Sequence, residues 1–170
     1  MLPWIILSLF GAWLLVVIGI GIRSYILMFN PQFQDLEYCR TWGLEHDEFD
    51  QAMLDLPWEL VRIHSSYRDA PVAAMVLGTS KESAGTAVFV HGITWTRYGM
   101  LKYMGPFIDR GWNVLAVDLP GHGDSPRGNR SVPAYGYHEK YDIDAVVDWV
   151  RNRFGTNRPV ILMGESMGAG

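Results

Sequence analysis

A serine held between glycines at the end of an apolar run is where this sequence is best equipped for covalent chemistry. Gly164-Glu165-Ser166-Met167-Gly168 follows Val160-Ile161-Leu162-Met163 without a gap. The pentapeptide alone is a weak signal, and its position is the strong one. A buried strand that turns sharply into a helix presents the hydroxyl on a strained turn, and the glycines let neighbouring chain pack close. A helix beginning at Ser166 would set its positive N-terminal end beneath a developing oxyanion. Ser166 is therefore the candidate nucleophile of an acyl transfer, with the Met167 backbone N–H as one oxyanion donor. The bland alternative is a glycine-rich structural turn.

A serine elbow of this kind draws its second oxyanion amide from the loop after an earlier buried strand. His91-Gly92-Ile93-Thr94 follows the apolar run Thr86–Val90, and Ile93 is the expected donor because its amide lies outside the strand ladder. His91, Asp118 and His122 resemble triad members, but all three precede the serine, whereas the triad partners follow the nucleophile in this chain order. They are expected to brace loops. His138-Glu139 does not begin a zinc-binding H-E-x-x-H, since Asp142 stands where the second histidine belongs. No metal site, no glycine-rich phosphate cradle and no cofactor is expected. Cys39, a single cysteine, permits no internal disulfide and is not expected to be a catalytic thiol.

These residues need a scaffold. Leu60–His64 alternates and Val72–Leu77 is apolar, with a turn at Tyr67–Ala70, so the pair reads as a hairpin. Thr86–Val90, Asn113–Val117 and Val160–Met163 are continuous apolar runs, the pattern of strands covered on both faces. Ile143, Val146, Val147, Val150 and Phe154 recur at helical spacing, with Gly155 as the stop. Met100, Tyr103, Met104, Phe107 and Ile108 do the same, with a kink or late start at Pro106 and an end at Gly111. Strands alternating with helices predict an α/β fold: a mostly parallel sheet with helices on both faces and an antiparallel edge.

The chain has 170 residues, 49% hydrophobic and 19% charged, with a formal net charge of −4. Without clustered Lys and Arg, nucleic-acid binding is not expected. Leu2 to Ile22 carries no charge, and as a helix it is about 30 Å long, the thickness of a hydrocarbon core. The run lacks a basic start and an A-x-A site, so an uncleaved transmembrane anchor is expected over a signal peptide. Arg23 and Arg40 follow the span, which places the remaining domain on the cytoplasmic side of a single-pass cell-membrane protein. The expected organisation is an anchor at 1–29, an acidic juxtamembrane connector at 30–57 that packs partly on the domain, and at 58–170 the N-terminal part of the α/β domain, up to just after the serine elbow.

The set H-G-I-T, D-L-P-G-H-G-D-S, Y-G-Y-H-E-K-Y-D and G-E-S-M-G, in this order from about Leu56 to Gly170, resembles the α/β-hydrolase superfamily. More narrowly it is similar to bacterial membrane-anchored hydrolases of the serine aminopeptidase and monoacylglycerol-lipase-like branch, of the YqkD type. The resemblance implies an eight-stranded sheet, no cofactor, a Ser–Asp–His triad, and a small-molecule ester or amide as substrate. Ser166 and the Ile93 and Met167 amides are the residues it carries over. The sequence reaches Gly170 shortly after the elbow, so the triad acid, the histidine and the lid are expected to lie outside it. The 170 residues alone are therefore expected to be inactive and unstable in solution. The rival expectation is a non-catalytic membrane-anchored relative of the same fold.

Overall fold

Two of the three apolar runs, Thr86–Val90 and Asn113–Val117, become the middle of a sheet, where burial on both faces demands apolar side chains at every position; the third, Val160–Gly164, expected to be covered on both faces, lies at the edge of that sheet with Ile161 and Leu162 exposed. The computed structural model describes residues 2–78, 83–129 and 133–170. The chain forms two compact units, Met1–Gln32 and Phe33–Gly170.

The first unit is helix α1 (Leu2–Phe29), whose span Pro3–Phe29 is long and apolar enough to cross a membrane. Ser8, inside the apolar run, donates its hydroxyl to the Trp4 carbonyl at 2.9 Å, so the one polar side chain there is internally satisfied.

The second unit carries strands β1 (Glu59–Ser65), β2 (Ala70–Leu77), β3 (Thr86–Val90), β4 (Asn113–Val117) and β5 (Val160–Gly164). Their order in the sheet is β1-β2-β4-β3-β5. The β1–β2 hairpin joins β4 antiparallel, while β3 lies parallel to both β4 and β5. Alternate residues of β3 feed opposite cores. Val88 and Val90 pack with Leu115, Val146 and Val150, whereas Ala87 and Phe89 pack with Met100, Leu101 and Met104. Helix α5 (Glu139–Phe154) covers the first face with the predicted Val146 and Val150, and ends at Gly155, φ +104°. Helices α2 (Leu36–Glu45) and α3 (Gln51–Leu54), and a 3-10 helix over Arg97–Tyr103, belong to the second face.

The run from Met100 to Ile108 divides into the 3-10 helix and a short α4 (Gly105–Ile108), the late start expected at Pro106, which has no N–H to donate and suits only the first turn. One 3-10 turn, Ser166–Ala169, follows the strand at Ser166. Helix α2 was not apparent from periodicity. Asp35 starts it by accepting the Tyr38 N–H at 2.7 Å.

The register sets Val90 opposite both Val117 and Gly164. The carboxyl ends of the three parallel strands are thus level, and the loops that follow them converge, as they do where open α/β sheets bind ligands.

Candidate active site

Ser166 follows β5 with φ +53°, a left-handed conformation that L-residues with side chains seldom adopt. Such a backbone costs on the order of 1–3 kcal/mol and persists only where its surroundings enforce it. Here they do. A Cβ on Gly164 would fall on the Gly168 carbonyl, and one on Gly168 would collide with the Val90 and His91 carbonyls of β3. Both glycines are therefore required by close backbone approach, and Glu165 N–H donates to the Val90 carbonyl at 3.0 Å to hold the turn in place. The serine itself is exposed.

The loop after β3 lies directly against it. A methyl placed on Gly92 would sit 3.2 Å from Ser166 Cβ and 3.8 Å from its Oγ. Gly92 to Trp95 forms a turn closed by Trp95 N–H to Gly92 C=O at 3.4 Å, with Thr94 at φ +71° in its third position. That is the geometry of a type II turn, whose third residue is normally glycine. Among the described residues no hydrogen bond engages the Ile93 N–H, and the Met167 N–H lies in the first turn of its 3-10 helix, where amides have no intrahelical acceptor.

The early histidines are both committed to backbone. His91 is fully buried; its Nε2 accepts the Leu119 N–H at 2.9 Å, so its Nδ1–H donates to the Gly92 carbonyl at 2.6 Å. His122 accepts the Thr94 N–H at 3.3 Å and donates to the Pro120 carbonyl at 3.2 Å. Burial pushes both rings down to about 4, and for His122 the neighbouring His91 adds to the effect. They are neutral braces with no nitrogen left to take a serine proton.

Asp118 is buried as well. Its carboxylate pairs with the Arg97 guanidinium and accepts the Arg97 and Asp124 N–H groups at 2.8 and 3.0 Å. Burial raises its pKa, opposed by Arg97 and those amides. Ser125 completes the loop, donating to the Asp118 carbonyl and accepting the Ala73 N–H, both at 2.7 Å. The Asp118–Ser125 segment is thus a clamp between β4 and β2.

Sequence reasoning missed a polar cluster around Glu165. Lys102 lies 3.3 Å from Glu165 and 3.2 Å from Glu48, and the Tyr103 hydroxyl reaches Glu165 at 3.2 Å. Partial burial works against the Lys102 ammonium, yet the two carboxylates hold its pKa above the usual value. Glu48, Lys102 and Glu165 border a cavity of about 270 Å3 whose wall also includes Trp42, Gly92 and Trp95. Also missed was a buried anchor at the start of α5: Arg68 binds Asp142 at 2.5 Å and Glu139 at 3.1 Å, and Ser65 donates to Asp142 at 2.6 Å. Glu139 in turn accepts the Ala134 and Gly136 N–H groups, next to Gly170. No periodicity encodes contacts this distant in sequence. Among the described residues no group of histidine, cysteine and acidic side chains has the arrangement of a metal site.

Residues 81–170, over half the chain, match the model of the family described as serine aminopeptidase, S33. The chain belongs to that family. This S33 family member is 31% identical over 172 aligned residues to the uncharacterized protein YqkD of Bacillus subtilis, covering 96% of this chain and 52% of that protein. It is 34% identical over 79 residues to a pimeloyl-[acyl-carrier protein] methyl ester esterase of Neisseria meningitidis, covering 46% of this chain and 26% of that enzyme. Among solved structures, an esterase of Pyrococcus furiosus aligns with a TM-score of 0.57 at 27% identity, over 71% of this chain and 46% of the esterase. The fold is that of the α/β-hydrolases, and the chain spans about half the length of YqkD.

Proposed function

We propose that this S33 family member is a serine hydrolase of carboxylic esters or amides that works through an acyl-enzyme on Ser166. The observation that carries the proposal is the left-handed backbone of Ser166 at the end of β5, beside Gly92. In the proposed reaction Ser166 Oγ attacks the acyl carbon, and the Ile93 and Met167 N–H groups receive the oxyanion. Collapse of the tetrahedral intermediate expels the alcohol or amine, and water then releases the acid. The serine proton goes to a histidine that follows the nucleophile in chain order; His91 and His122 are both occupied elsewhere. No cofactor is invoked.

We further propose that residues 1–29 anchor the protein in the cell membrane with the catalytic unit in the cytoplasm, that 30–57 connects the two, and that 58–170 is the N-terminal part of the hydrolase domain. The length and apolar character of α1 and the position of Arg23 and Arg40 support this. A fluorophosphonate probe applied to membranes from cells expressing the gene should label Ser166, and Ser166→Ala should abolish labelling and ester hydrolysis together. Hydrolysis that survives Ser166→Ala would favour a non-catalytic role for this site.

A further inference from the structure

The second unit begins at Phe33, and its first residues reach directly into the loop beside Ser166. The Phe33 ring lies 4.2 Å, centroid to centroid, from the imidazole of His122, and the Arg127 guanidinium sits over the Phe33 ring at 4.9 Å from its centroid. The next residue, Gln34, donates its backbone N–H to the Thr94 carbonyl at 2.9 Å. Thr94 donates its own N–H to His122, the imidazole that Phe33 covers. Both backbone polar groups of Thr94 are therefore held by one short stretch, Gln34 directly and Phe33 through His122.

This matters because Thr94 is β-branched and stands at φ +71°, a conformation that relaxes unless fixed from both sides. The peptide before it begins at Ile93. If Thr94 returned to a right-handed or extended conformation, the Gly92–Trp95 turn would change type by flipping the Ile93–Thr94 peptide, and the loop that carries the Ile93 N–H would lose its fixed path beside Ser166.

We propose that Phe33 and Gln34 are positioning residues for the oxyanion loop, clamping Thr94 in its left-handed conformation and so aiming the Ile93 N–H at the acyl oxygen. This rests on the assignment of Ser166 and Ile93 to acyl transfer. It makes the stretch that follows the apolar helix part of the catalytic framework and not a passive tether. Around His122 the charged and titratable neighbours are His91 and Asp118, with Arg127 over the Phe33 ring that touches it.

The test uses the full chain in detergent micelles. In Phe33→Ala the Thr94 amide should exchange with solvent at least about tenfold faster, and the His122 ring should titrate above its native value near 4. The Val88 and Leu115 amides, at the sheet centre, should keep their protection. Gln34→Pro removes the donor to Thr94 while keeping the Phe33 side chain, and should speed Thr94 exchange likewise, which keeps the test open if Phe33→Ala unfolds. With p-nitrophenyl butyrate and membranes from expressing cells, kcat should fall about tenfold at unchanged KM, the split expected when a transition-state donor is misaimed. Phe33→Leu should restore both readouts. Unchanged Thr94 exchange in both variants would overturn the proposal, as would faster exchange with an unchanged kcat. Retention of hydrolysis by Ser166→Ala would instead remove the catalytic assignment, while exchange and titration would still decide whether the clamp exists.

Discussion

Acidification should unfold this protein through two histidines. His91 and His122 are held near 4 in the fold against an ordinary value of 6.5, mainly by burial. Above about pH 6.5 neither the native nor the unfolded chain protonates these rings, and they leave stability unchanged. Between about 6.5 and about 4 the unfolded chain takes up protons that the native one refuses, so stability falls as pH falls through that window. Each ring contributes a loss of about 3.5 kcal/mol, and the pair about 7 kcal/mol, at about 1.4 kcal/mol per pH unit of displacement. That is comparable to the whole stability of a typical domain, about 5–15 kcal/mol. Asp118, with its raised pKa, acts in the opposite sense at the acid end, since the native state binds its proton more readily. Urea unfolding followed by tryptophan fluorescence in detergent at pH 7.5, 5.5 and 4.5 would measure this. The expected slope approaches two protons taken up on unfolding, about 2.7 kcal/mol per pH unit in mid-window. His91→Gln should roughly halve it. A stability that is flat from pH 7.5 to 4.5 would refute the assignment of both rings as buried neutral braces.

Two further outcomes follow from packing. Gly168→Ala should abolish probe labelling and destabilise the fold by at least about 1–3 kcal/mol, because its methyl would meet β3 backbone carbonyls; Gly105→Ala, with open space around it, should be near neutral in the same denaturation assay. Asp142→Ala should cost about 3–5 kcal/mol of unfolding free energy, read as a lower urea midpoint at unchanged slope, since it leaves the buried Arg68 guanidinium with Glu139 as its remaining partner in the cluster.

The parts of this molecule legible in its sequence are those whose cause is local. Thr86–Val90 and Asn113–Val117 were visible because burial on both faces demands apolar residues at every position, and the strands end where the runs end. The Gly164 and Gly168 requirement was visible because a tight elbow excludes any Cβ. The rejection of His91 and His122 as bases agrees with nitrogens already bonded to backbone. What stayed hidden depends on partners far along the chain. Nothing in Phe33 or Gln34 announces contact with Thr94 and His122, and Lys102 gives no local sign that Glu48 and Glu165 meet at it. The order in which β4 lies between β2 and β3 is likewise set by crossover packing, to which local periodicity is blind. Helix α2 was missed for a different reason: its start depends on Asp35 as a cap, and Cys39 and Gly43 are its only buried positions, too few to produce a stripe.

The central claim is that Ser166 is the covalent nucleophile, and peptide mass spectrometry after fluorophosphonate treatment of expressing membranes tests it most directly. The account predicts one adduct, on the peptide carrying Gly164-Glu165-Ser166-Met167-Gly168, absent in Ser166→Ala and preserved in His122→Gln. An adduct on another residue, or a native protein that stays unmodified while hydrolysing ester, would contradict it.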